Sequence, residues 1–199
     1  MLAIDADGNG AVYAHYAVPI GKVSRRGETG KAKDRPAYRG GPAPAATSER
    51  GLALADARKI YVLNGPNLNM LGTREPDIYG YDTLDDIAGR MEDAANRAHV
   101  EIDFRQSNHE GHLVDWLQEA HADGAHAVIL NPGAYTHTSI ALHDAIKGIT
   151  VPVIEVHLSN PHAREPFRHK SFVGMAARGT IAGFGPLSYM LALEAALEL

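Results

Sequence analysis

The chain has 199 residues, 45% hydrophobic and 22% charged, enough for one domain with an appendage and an ordinary hydrophobic core. It contains no cysteine, which excludes a disulfide framework, a Cys-ligated metal site and a cysteine nucleophile. A net charge of −5 argues against non-specific nucleic-acid binding, and no apolar run approaches the roughly 18 residues of a membrane span, so the expectation is a soluble, cytoplasmic protein.

Residues 1–58 stand apart from the rest. They hold nine Lys+Arg against six Asp+Glu (net +3), which leaves ten against 18 (net −8) for residues 59–199. They also hold eight of the 20 glycines and four of the 11 prolines, with no Phe or Trp. Such a segment buries too little apolar area to offset its ordering entropy, so it is expected to be a mostly disordered N-terminal extension. Asp5 and Asp7 break the pattern of a secretory signal, and the low serine content does not suit a transit peptide. A dispensable tail and a translation start assigned too far upstream both remain open.

From Lys59 onward strand-like and helix-like blocks alternate. Lys59–Leu63 is a short β-rich run ended by Asn64-Gly65-Pro66. Leu84, Ile87, Met91, Ala94 and Ala98 follow helical spacing, with Thr83 and Asp86 placed as a capping box. Val100–Gln106 alternates as a strand. Leu113, Trp116, Leu117 and Ala120 mark a second helix ending near Gly124. Ala127–Leu130 and Val153–Val156 are apolar enough for buried parallel strands, with a helix starting near Ser139 between them. Thr180–Gly183 reads as a last strand and Leu187–Leu197 as a closing helix. Five strands separated by helices predict an α/β sandwich on a parallel sheet, whose ligands bind outside the carboxyl ends of the strands.

The stretches after those strand ends carry the unusual residues. Asn64–Gly80 is a 17-residue connection, long for an α/β unit and typical of a lid or binding loop, with glycines 65, 72 and 80 as hinge positions. Asn131–Ser139 combines small residues with Asn131 and His137 before a helix start, which suits an oxygen-rich or anionic ligand; Thr138 or Ser139 acting simply as a helix cap is the plainer alternative. Glu155 and His157, two apart on a strand, project to the same face. A carboxylate beside an imidazole suits a general acid, although an ordinary hydrogen-bonded pair has the same spacing. Arg164, Arg168 and His169 form a basic cluster that either holds a carboxylate or is solvated. Ten of the 11 histidines lie beyond residue 58, without the spacing of a metal site. Gly183-Phe184-Gly185-Pro186 is too slight for a phosphate cradle, and neither a P-loop nor a dinucleotide fingerprint is present.

Three blocks, Leu63–Leu71 with Arg74-Glu75-Pro76 and Tyr79-Gly80, Asn131–Ser139, and Glu155–Arg168, make the chain from Ile60 to Leu197 resemble the type II 3-dehydroquinate dehydratases of the shikimate and quinate pathways. Residues 1–58 have no counterpart in that pattern. The resemblance implies a flavodoxin-like fold and the anti elimination of water from 3-dehydroquinate through an enolate, with no metal or organic cofactor. It places the base on Tyr79 beside Arg74, the general acid on His157 oriented by Glu155, and a water-holding residue on Asn67. It puts substrate contacts on Asn131, His137, Leu158, Ser159 and Arg168. Asp144 matches a residue that reaches the site of a neighbouring subunit, which implies trimers assembled into a dodecamer.

Physical chemistry fits that set. Ionising a free tyrosine at pH 7 costs about 4 kcal/mol, much of which a nearby guanidinium in a dry site removes. Arg74 and Tyr79 share one loop, so its closure would assemble both and exclude water. The unrelated type I enzymes use a lysine Schiff base, whereas Lys59, Lys147 and Lys170 all lie outside the loops just described. A binding module of the same fold would need a broken catalytic set, and a flavin carrier would need a Ser/Thr-rich phosphate loop after the first strand; neither is present.

Overall fold

The computed structural model of the protein describes residues 58–72 and 82–199. The expectation for the N-terminal extension, and the positions of Arg74 and Tyr79, lie outside the described residues.

The elements run β1 (Lys59–Asn64), α1 (Leu84–Ala98), β2 (Glu101–Gln106), α2 (Glu110–Ala122), β3 (Ala127–Asn131), α3 (Ile140–Gly148), β4 (Val153–His157), β5 (Gly179–Ala182) and α4 (Leu187–Leu197). All four strand pairings are parallel, in the order β2-β1-β3-β4-β5. This is the flavodoxin-like doubly wound order, whose topological switch point lies between β1 and β3.

The apolar runs of β1, β3 and β4 are continuous because both faces of the sheet are covered. Strand alternation then divides them. Ile60, Val62, Ile129, Ile154 and Val156 join the core that includes Ile87 and Met91 of α1 and Leu193 of α4. Tyr61, Leu63, Val128, Leu130 and Val153 join Leu113, Trp116 and Leu117 of α2 and Leu142 and Ile146 of α3. Each fully buried aliphatic side chain contributes roughly 1.5–3 kcal/mol, so the two cores fix which helices cover which face. The capping box forms as the sequence predicts, with the Asp86 N–H donating to Thr83 Oγ1 at 3.1 Å and the Thr83 N–H donating to Asp86 Oδ2 at 2.9 Å. Ser139 caps α3 by accepting from the Leu142 N–H at 2.8 Å, the plainer of its two readings.

One feature of the sheet has no periodic signature. Arg105 of β2 is 6% exposed and forms ion pairs with Asp103 at 2.8 Å and with Glu119 of α2 at 2.6 Å. These charges pin α2 to the sheet from opposite ends of a sequence interval that periodicity does not connect.

The strand ends that carry the site are held together by backbone contacts. The Gly65 N–H donates to the Asn131 carbonyl at 2.7 Å, and a Cβ at Gly65 would sit 2.5 Å from the Pro132 oxygen. Gly65 is therefore a point of close approach between the loops after β1 and β3, where the sequence suggested a hinge. The turn at Gly183–Pro186 directs two amides at the end of β4 and the residue after it: Gly183 N–H donates to the His157 carbonyl at 3.3 Å and Gly185 N–H to the Leu158 carbonyl at 2.9 Å. Its glycines anchor the strand end that presents His157.

Candidate active site

A cleft of about 170 Å³ opens at the carboxyl ends of β1, β3 and β4. Eight of the residues singled out from sequence line it: Asn67, Asn131, His137, His157, Leu158, Ser159, Arg164 and Arg168. They come from three connections, the loop after β1 lying more than 60 residues before the other two, and only the parallel sheet brings them together. A wider cavity of about 600 Å³ shares His137, His157 and Arg168 and extends to Glu155, Lys170 and Thr180.

Glu155 and His157 do face the same side of β4, and His157 Nε2 lies 2.9 Å from Glu155 Oε1. Glu155 is completely buried. Burial drives its carboxyl toward the neutral form, yet hydrogen bonds and charge from His157, with hydroxyl donors from Thr136 and Ser171, pull the pKa down from 4.5 to about 2. Ser171 Oγ donates to Oε1 at 2.8 Å, Thr136 Oγ1 donates to the same oxygen, and Thr180 Oγ1 donates to Oε2 at 2.9 Å. An ionised Glu155 only accepts, so His157 Nε2 carries a proton and Nδ1 stays outside that bond. The cage is tight: a Cβ at Gly174 would sit 2.5 Å from Glu155 Oε2.

The rim has fixed polarity. His137 Nδ1 donates to the Lys170 carbonyl at 2.8 Å, which turns Nε2 away from that bond. Arg168 is held through Nε by Glu165 Oε2 at 2.7 Å. Asn67 adopts a left-handed backbone, φ 68°, and its N–H donates to Asn108 Oδ1 at 2.9 Å. That strained conformation is tolerated by asparagine and aims the start of the loop over the cleft. Asp144 is the described site candidate that the chain does not bring to the cleft; it is exposed on α3. Among the described residues no group of three His, Asp or Glu converges as a metal site would require.

Sequence reasoning missed part of the site. Leu68 and Leu71 form an apolar wall, while Arg164 joins Arg168 in the lining as the basic cluster allowed. Arg164 was visible in the basic cluster after β4, whereas the hydroxyl cage of Thr136, Ser171 and Thr180 is scattered over three segments and has no spacing signal.

A buried acid–base pair opening onto a guanidinium- and amide-lined cleft at a topological switch point defines an α/β protein built for acid–base chemistry on a small polar molecule. The sequence profile of the family described as dehydroquinase class II matches residues 58–197. Over 136 residues the chain is 62% identical to a 3-dehydroquinate dehydratase of Rhizobium johnstonii, covering 68% of this chain and 93% of that relative. It is 59% identical over 142 residues to the enzyme of that name from Variovorax paradoxus, covering 69% and 97%. A crystal structure of type II dehydroquinase from Propionibacterium acnes superposes with a TM-score of 0.69 at 43% identity, covering 71% of this chain and 97% of that one. The chain belongs to the class II dehydroquinase family.

Proposed function

We propose that the protein is a hydro-lyase that converts 3-dehydroquinate to 3-dehydroshikimate and water. The observation that carries this reading is the buried, ionised Glu155 holding His157 at the floor of the cleft. Tyr79, with Arg74 stabilising its ionised form, takes a proton from the carbon alpha to the ketone. The bonding pair moves onto the ketone oxygen as an enolate, and Asn67 holds a water against that oxygen. When the enolate collapses, the tertiary hydroxyl on the opposite face leaves and takes a proton from His157, so that water departs. Glu155 stays charged throughout and stabilises the protonated imidazole before that transfer.

The rim supplies recognition. Arg168 and Arg164, with Ser159, offer guanidinium and hydroxyl donors to the substrate carboxylate and hydroxyls, and Asn131, His137 and Leu158 enclose the ring. Asp144 completes a neighbouring subunit's site in a homo-oligomer of trimers, assembled into a dodecamer. Its exposure supports this, as does the 59% exposure of Ile140 one turn earlier on the same helix, an apolar side chain placed to be covered by a partner.

The test is turnover of 3-dehydroquinate followed by the ultraviolet absorbance of the conjugated product, for the natural protein beside Tyr79→Phe. Product from the first and near-total loss in the second is the expected result. Equal rates would remove Tyr79 from its role, and substrate binding without turnover in the natural protein would favour a binding module.

A further inference from the structure

Behind the cleft, at the junction of β1, β3 and α4, three polar side chains are shut away from solvent: Asn64 and Tyr189 at 0% exposure and Asn131 at 3%. Asn64 Nδ2 donates to the Arg105 carbonyl at 2.9 Å, Tyr189 Oη donates to Asn64 Oδ1 at 2.6 Å, and Asn131 Nδ2 donates to Tyr189 Oη at 2.8 Å. Asn131 Oδ1 accepts from the Gly133 N–H at 3.2 Å. The direction of every bond in this series is fixed from both ends. A backbone carbonyl only accepts and a backbone N–H only donates, so neither carboxamide has an alternative orientation that keeps its partners. Burial also raises the Tyr189 hydroxyl well above the ordinary tyrosine range, which keeps it a neutral donor.

We propose that Tyr189 is a positioning residue for substrate binding: its buried hydroxyl locks the Asn131 carboxamide so that the second Nδ2 hydrogen points into the cleft as a fixed donor to a substrate oxygen. The inference rests on the proposed dehydratase reading. It assigns a role to a side chain on the first turn of the last helix, which the sequence shows only as part of an apolar helix. Without the hydroxyl, only the 3.2 Å bond from the Gly133 N–H still holds the carboxamide, and turning it over to present its carbonyl oxygen to an oxygen-rich ligand costs one hydrogen bond instead of two.

The experiment is a double-mutant cycle on the full chain, with Tyr189→Phe, Asn131→Ala and both together, reading kcat and KM separately. Tyr189→Phe is expected to lower kcat/KM about tenfold, the worth of one neutral hydrogen bond, chiefly through KM. In the Asn131→Ala background the same change is expected to alter kcat/KM less than twofold. Additive losses in the two backgrounds, or an unchanged KM in Tyr189→Phe, would overturn the proposal. If Tyr189→Phe does not fold, Asn64→Leu combined with Tyr189→Phe removes both partners of one buried bond and takes its place in the cycle, with the same criteria. A natural protein that turns over normally while the cycle is additive refutes the role of Tyr189 alone. A natural protein that neither binds nor converts 3-dehydroquinate refutes the dehydratase reading and this inference with it.

Discussion

Glu155 keeps its charge in a completely buried position because four donors converge on two oxygens. That arrangement links the site to stability. Its folded-state pKa, about 2, lies below the ordinary 4.5, so the stabilisation is fully present above about pH 4.5 and is lost as pH falls toward 2. The contribution is on the order of 3 kcal/mol. Urea midpoints measured across this window are therefore expected to fall more steeply for the natural protein than for Glu155→Gln; parallel curves would contradict the account. The Glu155–His157 pairing was legible from two-residue strand spacing alone. The hydroxyls that keep the carboxylate charged were not, because Thr136, Ser171 and Thr180 reach it from segments whose proximity only the folded sheet creates. Tyr189 was hidden for a different reason: on a helix of otherwise apolar residues, a buried tyrosine reads as packing.

At the scale of elements, the parallel sheet was legible because β1, β3 and β4 are short apolar runs, each followed by polar or glycine-rich residues, and because Thr83 and Asp86 announce the start of α1. The connections were harder to read. The 3-10 turns at Leu68–Met70 and Gly133–His137 have no periodicity of their own, and Gly65 suggested mobility where the structure shows contact. A Cβ at that position would collide with backbone, which cannot swing aside as a long side chain can. Gly65→Ala is expected to cost about 2 kcal/mol or more, since it separates the loops after β1 and β3. Because those loops carry Asn67 and Asn131, kcat/KM should fall as well. Thermal unfolding and turnover check both effects, and an alanine variant with natural stability would show that the approach is looser than described.

At the scale of the whole molecule, charge divides the chain more sharply than length does, with net +3 in residues 1–58 and net −8 beyond. Every described residue of the cleft lies after Arg58, and so do Arg74 and Tyr79. A variant beginning at Arg58 is thus expected to keep natural kcat and KM and the same solution mass by analytical ultracentrifugation. A large loss of either would give the extension a part in assembly or catalysis. Asp144 shows the limit of reading a site from one chain: sequence pattern marks it, yet within the subunit it sits exposed on α3 and away from the cleft.

The central claim is that His157, held by Glu155, delivers the proton that lets water leave. It is tested most directly by the rate of conjugated-product formation from 3-dehydroquinate with His157→Ala beside the natural protein. The account predicts steady product formation by the natural protein and a fall of about 10²–10⁴ in kcat for the variant, the usual worth of general acid catalysis. Equal rates in the two proteins would contradict it.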